Sequence, residues 1–152
     1  MILAVCLGNI CRSPYAAHRL NEELARAGLD DIHVRSAGFI QPGRPSPKAA
    51  RQVAARRGLD LDDHRSQVVT PAMLRQADVV LVMSPGQLGQ LRQEADEAPA
   101  GLRIVLGDLD PESIDRRTIV DPFDEAEDVF ETVYERIDRC CRALVGALSC
   151  AE

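Results

Sequence analysis

Apolar residues along this chain alternate between short unbroken runs and stripes that recur every three or four positions. Ile2 to Cys6 is the first run, ending in a glycine-containing loop, and it predicts a buried strand. Ser13-Pro14 then reads as a helix start, Ser13 capping and Pro14 in the first turn. Tyr15, Leu20, Leu24 and Ala25 carry the helical stripe until Gly28 stops it. A second strand is predicted from Ile32 to Ala37, ending at Gly38, before a Pro- and Gly-rich loop over 38–47. Ser46-Pro47 opens another helix through Val53 and Ala54 to Gly58, and residues 71–77 suit a further helical turn.

The run "DVVLVM" at 78–83 is apolar at nearly every position, as expected of a strand covered on both faces. A helix over 85–96 and a fourth strand from Arg103 to Leu106 follow, then a polar loop to Phe123. In the last segment Phe130, Val133, Ile137, Cys141, Leu144 and Leu148 define one long amphipathic helix. Strands alternating with helices predict an α/β fold: a parallel sheet with right-handed crossovers and both faces covered. With 152 residues and no linker or repeat, the chain is expected to form a single three-layer domain over 1–152. Ligands in such folds sit beyond the carboxyl ends of the strands, which is where the loop after Cys6 and the stretch Ser36–Gly38 fall.

Charge changes the picture. The net charge is −6, which argues against general nucleic-acid binding, yet it is unevenly spread. Residues 1–76 carry 11 Lys/Arg against 7 Asp/Glu, and residues 77–152 carry 7 against 17, so an anion site in the first half is plausible. The apolar stretch after Met1 is too short for a signal peptide, and no run approaches membrane-spanning length. The five cysteines, at 6, 11, 140, 141 and 150, are an odd number, with two adjacent in a predicted helix. That pattern fits a reduced, cytoplasmic protein, with no membrane insertion expected.

The candidate chemistry lies in "VCLGNICRSP", residues 5–14. A short loop feeding a helix N-terminus turns successive backbone N–H groups inward and makes a nest for an anion. Gly8 and Asn9 tolerate the left-handed backbone that such a curl needs. Arg12 adds a planar fork able to hold two phosphoryl oxygens. No Gly-Lys-Ser/Thr follows, so this is not a nucleotide-triphosphate loop. A thiol facing the same N–H groups and an arginine is expected to ionise readily, with a pKa of roughly 3.5–7.5 in comparable settings. Cys6 beneath a bound phosphate is therefore placed for in-line attack on phosphorus, and Ser13 is placed to donate its hydroxyl to the sulfur. An ester oxygen leaving phosphorus needs a proton. Asp121 in "IVDPFDE", in a loop stiffened by Pro122, is the candidate acid, with Asp108, Asp124 and Glu125 as competitors.

These residues, with "SAG" at 36–38, "GLDLDDHRS" at 58–66, "DVVLVM" at 78–83 and "DPF" at 121–123, resemble the low-molecular-weight protein tyrosine phosphatases along essentially the whole chain. The resemblance implies a four-stranded parallel sheet flanked by helices, with the phosphate loop between the first strand and the first helix. It also implies two-step catalysis with no metal and no cofactor. Cys6, Arg12 and Asp121 would carry the reaction, and Leu7, Gly8, Asn9, Ile10, Cys11, Arg12 and Ser13 would surround the phosphate. Asn9 would be held in a strained left-handed conformation by hydrogen bonds to Ser36 and His64. Read without the family, His64 is an ordinary solvated loop histidine. Ile10, Phe39 and Phe123 would wall the substrate slot, Phe39 standing in for an aromatic the shortened loop "FIQPGRPSP" lacks, unless it belongs to the core. Cys11 is either a loop filler or a reversible disulfide partner of Cys6.

The shortened loop is similar to that of bacterial members acting on tyrosine autokinases that govern exopolysaccharide export. The expected partner is a phosphotyrosine protein such as an autokinase tail, met by a monomer. Rival readings fare worse. Related arsenate reductases need relay cysteines in mid-chain, and residues 12–139 hold none. Protein-arginine phosphatases carry threonine at the position of Ile10, where a branched apolar residue suits an aromatic ring better. A silent phosphate-binding module is expected to lack Cys6, Arg12 or Asp121. A zinc site at Cys6 and Cys11 has no second ligand pair and a repulsive Arg12 beside it.

Overall fold

The computed structural model describes residues 1–94, 101–112 and 114–151. Strand β1 (Ile2–Cys6) is buried along its whole length, and its side chains divide between the faces with the two-residue period of a strand. Ile2, Ala4 and Cys6 enter one core, while Leu3 and Val5 enter another. Strands β2 (Val34–Gly38), β3 (Val79–Val82) and β4 (Leu102–Val105) complete a parallel sheet of order β2-β1-β3-β4. Helices α1 (Arg12–Arg26), α2 (Lys48–Arg56) and α5 (Glu127–Cys150) cover the first face; α3 (Pro71–Gln76) and α4 (Pro85–Glu94) cover the second. The strand order reverses between β1 and β3, and a crevice opens at such a switch point. The loop after β1 lies there.

The element borders differ from expectation in small, explicable ways. Helix α1 starts at Arg12, with Cys11 at the capping position and no side-chain cap. Ser13 lies inside the first turn because its hydroxyl is engaged by Cys6 and Asn9. Pro14 is tolerated where the first-turn N–H groups have no intrahelical partner. The second strand begins at Val34, since Ile32 donates its N–H to Leu29 in the turn that ends α1. The predicted helix over 85–96 is seen to Glu94, and residues 95–96 lie outside the described residues. The fourth strand is offset by one residue, and the polar loop after it opens with a 3₁₀ turn at Leu106–Leu109.

Helix α5 braces the switch point from behind. Tyr134 stacks on Tyr15 of α1 with ring centroids 3.7 Å apart, and its hydroxyl donates to the Cys11 carbonyl at 2.9 Å. Among the described residues no helix is long and apolar enough to cross a membrane.

Candidate active site

Cys6 ends β1, and its sulfur lies at the base of a cavity of about 150 Å³. The loop from Leu7 to Cys11 curls around that base. Among the described residues, none of the N–H groups of Gly8, Asn9, Ile10 and Cys11 donates to a backbone carbonyl. Unengaged N–H groups in a loop that feeds a helix N-terminus are suited to receive an anion. The curl turns at Asn9, whose φ of 53° is left-handed. Such a backbone costs about 1–3 kcal/mol and persists only where its surroundings hold it, as they do here. His64 Nε2 lies 2.6 Å from the Asn9 carbonyl, and because a carbonyl can only accept, that nitrogen carries the hydrogen. Burial holds the imidazole below its ordinary pKa of 6.5. The Asn9 side chain accepts from the Gln67 N–H at 2.9 Å and donates to Ser13 Oγ at 2.8 Å.

That last bond orients the serine. Ser13 Oγ lies 3.0 Å from Cys6 Sγ and a longer 3.4 Å from the Ala37 carbonyl. With Asn9 donating to the oxygen, the hydroxyl hydrogen is free to point at the sulfur. The Ser13 N–H adds a second donor at 3.5 Å.

Gly38 lets β2 pass close behind the loop. A Cβ there would sit 2.9 Å from Asn9 Cβ, from the Asn9 nitrogen and from the Leu7 oxygen. The strand end bonds to its neighbours instead: Phe39 N–H to the Leu7 carbonyl, Gly38 N–H to the Gln67 carbonyl, and Val69 N–H to the Gly38 carbonyl, each at 2.8 Å.

Arg12 forms the far wall, only 5% exposed. Its Nη1 donates to the Ile119 carbonyl at 2.9 Å, and Nη2 lies 3.4 Å from Asp121 Oδ2. Its Nε is buried and, among the described residues, has no hydrogen-bond partner, a donor left for a ligand. The segment bearing Asp121 is fastened at several points. The Ile119 N–H donates to the Met83 carbonyl just past β3, and buried Arg136 of α5 donates to the Thr118 and Arg116 carbonyls. Asp121 Oδ1 accepts from the Phe123 N–H at 3.1 Å, forming a local turn through Pro122. Of the four candidate acids, Asp121 alone lines the cavity, and Asp108 is taken by Arg117.

Leu7, Ile10, Ile40 and Phe123 make the upper wall apolar. Two expected positions are corrected. Phe39 does not wall the slot; it packs against the core between the sheet and α3–α4, because one residue past Gly38 the chain still points that way, and Ile40 takes the rim. Ser36 does not bond Asn9 either. Its carbonyl accepts from the Gln67 side chain at 2.7 Å, and Gln67 in turn holds Asn9. Asn9 and Ser13 lie beneath the cavity lining rather than in it.

Sequence reasoning missed Gln67, Ser66, Arg44, Ile40, Ile119, Arg136 and Tyr134. Only the last two carried a signal: a tyrosine and an arginine on the buried side of α5. Cys11 is buried and its thiol is pushed far up, chiefly by that burial, so it stays protonated at neutral pH. Among the described residues no group of His, Cys, Asp and Glu side chains is arranged to hold a metal ion.

The profile of the family described as low molecular weight phosphotyrosine protein phosphatase matches residues 1–151. The chain is 37% identical over 139 residues to the probable low molecular weight protein-tyrosine-phosphatase EpsP of Ralstonia nicotianae, covering 91% of this chain and 88% of the relative. It is 34% identical to the probable low molecular weight protein-tyrosine-phosphatase AmsI of Erwinia amylovora, covering 97% and 96%. Among solved structures, Vibrio vulnificus Wzb in complex with benzylphosphonate superposes with a TM-score of 0.82 at 32% identity, covering 96% of this chain and 97% of that one. With nest, sulfur and arginine on a fold shared nearly end to end, the chain belongs to the low-molecular-weight protein-tyrosine phosphatase family.

Proposed function

We propose that the protein hydrolyses phosphotyrosine in two steps through a phosphocysteine. The observation that carries this is the position of Cys6 Sγ at the base of a cavity whose wall includes Arg12 and whose mouth includes Asp121. In the first step the thiolate of Cys6 attacks phosphorus, an S–P bond forms and the P–O bond to the tyrosyl oxygen breaks. The Asp121 carboxyl gives that oxygen its proton. Arg12 and the inward N–H groups hold the equatorial oxygens, whose charge they match best when phosphorus is five-coordinate. In the second step the Asp121 carboxylate takes a proton from water, water oxygen bonds phosphorus, the S–P bond breaks and inorganic phosphate departs. The Ser13 hydroxyl stabilises the sulfur as nucleophile and again as leaving group. The apolar wall of Leu7, Ile10, Ile40 and Phe123 suits a flat ring and offers a short phosphoserine side chain nothing to pack against.

We assign the physiological substrate to the phosphotyrosine tail of a bacterial autokinase controlling exopolysaccharide production. The support is the short loop after Gly38 and the likeness to bacterial relatives. The test compares native protein, Cys6→Ser and Asp121→Asn on an aryl phosphate and on phosphotyrosine and phosphoserine peptides, without added metal. Turnover is expected to be selective for phosphotyrosine, undetectable without Cys6, and slowed about 10²–10⁴-fold without the acid. Turnover surviving in Cys6→Ser overturns the mechanism.

A further inference from the structure

Among the described residues Arg44 is the one cation of the cavity lining besides Arg12, and nothing in the two-step reaction uses it. Its guanidinium lies over the Phe123 ring, 5.8 Å from the centroid, and its Nη1 is 3.8 Å from where a Cβ of Gly8 would be. It therefore reaches from the loop after β2 across the rim, between the edge of the nest and the aromatic wall. Among the described residues it pairs with no carboxylate, whereas Arg12 faces Asp121.

The backbone beneath Arg44 is unusually well held for a Pro- and Gly-rich loop. Buried Ser66 donates its N–H to the Arg44 carbonyl at 2.8 Å and accepts from the Arg44 N–H through Oγ at 2.9 Å. Its own carbonyl accepts from the Gly43 N–H at 2.7 Å, and its hydroxyl donates to Gln41 at 2.8 Å. Four hydrogen bonds to one residue fix residues 41–44, and stacking on Phe123 restricts the side chain. A pre-positioned charge loses little freedom when a ligand arrives.

Phe123 is 44% exposed, at the entrance. The guanidinium on it stands at that entrance, between the Gly8 edge of the loop and the aromatic wall. We infer that Arg44 is a specificity-determining residue that receives the carboxylate of an acidic side chain next to the phosphotyrosine. This inference rests on the phosphotyrosine reading and narrows the substrate class to tyrosines phosphorylated in an acidic context. Leu7 and Ile40, both exposed at the same rim, give the flanking residues apolar contact on either side of that charge.

The experiment measures kcat/KM on phosphotyrosine peptides identical except for Glu, Gln or Lys beside the phosphotyrosine, with native protein, Arg44→Gln, Arg44→Glu and Arg44→Lys. The native protein is expected to favour Glu over Gln about five-fold at low ionic strength, mostly through KM, and less in high salt. Arg44→Gln should bring the ratio to about one, Arg44→Glu should favour Lys, and Arg44→Lys should keep part of the preference. Because each ratio is internal to one variant, partial misfolding does not mimic the effect. A Glu preference that survives in Arg44→Gln overturns the inference. So does an equal loss on all peptides and on an aryl phosphate, which would place Arg44 on the transferred phosphoryl group. If native protein hydrolyses aryl phosphate but no phosphotyrosine peptide, the phosphotyrosine reading itself falls.

Discussion

Arg12 Nη1 donates to the main-chain oxygen of Ile119 at 2.9 Å, joining residues 107 apart in sequence. One side chain thus lines the cavity above Cys6 and fastens the loop that brings Asp121 to it. The same guanidinium keeps Nε free for a ligand, so its three nitrogens have three separate tasks. Lysine has one nitrogen and cannot share it this way. Arg12→Lys is expected to cost about 10³-fold in kcat/KM. Hydrogen exchange over residues 117–123 should also quicken, read by mass spectrometry. Activity loss with unchanged exchange in that segment would mean that Arg12 does not hold the acid loop.

The close approach at Gly38 gives a second prediction. Two of the three atoms that a Cβ would meet at 2.9 Å are backbone, the Asn9 nitrogen and the Leu7 oxygen, and they cannot swing aside as a side chain could. The loop must shift, and with it the Asn9 conformation that shapes the nest. Gly38→Ala should destabilise the fold by about 1–3 kcal/mol, lowering Tm by roughly 3–10 °C. It should also reduce kcat/KM more than KM alone accounts for. An unaltered melting curve would show that the sheet edge relaxes without disturbing the loop.

Those two relationships mark where sequence reading succeeds and where it stops. The strands were legible because β1 and β3 are buried on both faces and leave unbroken apolar runs. Cys6, Arg12 and Asn9 were legible because the nest is contiguous in sequence. The clamp around it was not. Gln67 and Ser66 act through long-range bonds to residues 58 and 22 positions away, and nothing in "HRSQ" announces which way those side chains turn. Phe39 and Ile40 show the same limit at finer grain. Both are apolar, and only the backbone direction after Gly38 decides which enters the core and which lines the cavity.

His64 supplies a pH dependence with a definite sign. Its folded-state pKa is lowered by burial, with the charges of His18 and Arg65 acting the same way, so the folded protein resists taking up a proton that the unfolded chain accepts near 6.5. The hydrogen bond to the Asn9 carbonyl offsets part of this, and Asp60 and Asp63 line the same cleft. Where the unfolded state binds more protons, stability rises with pH. Stability should therefore fall as pH drops below about 6.5, levelling off once the folded-state histidine is itself protonated. His64→Gln keeps an Nε2 donor for the Asn9 carbonyl and removes the titration. Between pH 7 and 5 the native protein should lose more Tm than this variant, measured by scanning calorimetry in matched buffers. Parallel slopes would show that His64 takes its proton without cost.

Asp138 is the furthest of these groups from the nest, yet it lies on a path to it. It is 4% exposed, on the side of α5 that also carries Tyr134 and Cys141, where a carboxylate survives only if fully partnered. Its Oδ1 accepts from the Tyr15 hydroxyl and from Arg19 Nε, both at 2.8 Å, and Oδ2 accepts from Arg57 Nη2 at 2.8 Å. Burial pushes the Tyr15 phenol up to about 12, so it remains a donor throughout the working range. Tyr15 stacks on Tyr134, which holds the Cys11 carbonyl, so the cluster supports the nest through two rings. Removing the charge leaves two arginines short of a partner, although Arg19 keeps Glu22 and Arg57 keeps Glu131. Breaking a buried pair costs about 3–5 kcal/mol, and the surviving partners place Asp138→Asn at the lower end of that range. Tyr15→Phe removes a donor to a charged carboxylate and should cost about 1.5–3 kcal/mol. Urea denaturation of both single variants and the double variant tests this. A double variant less destabilised than the sum of the singles is expected, since the two side chains share one hydrogen bond. Strict additivity would mean that Asp138 serves the arginines alone and that the rings carry nothing from it to the nest.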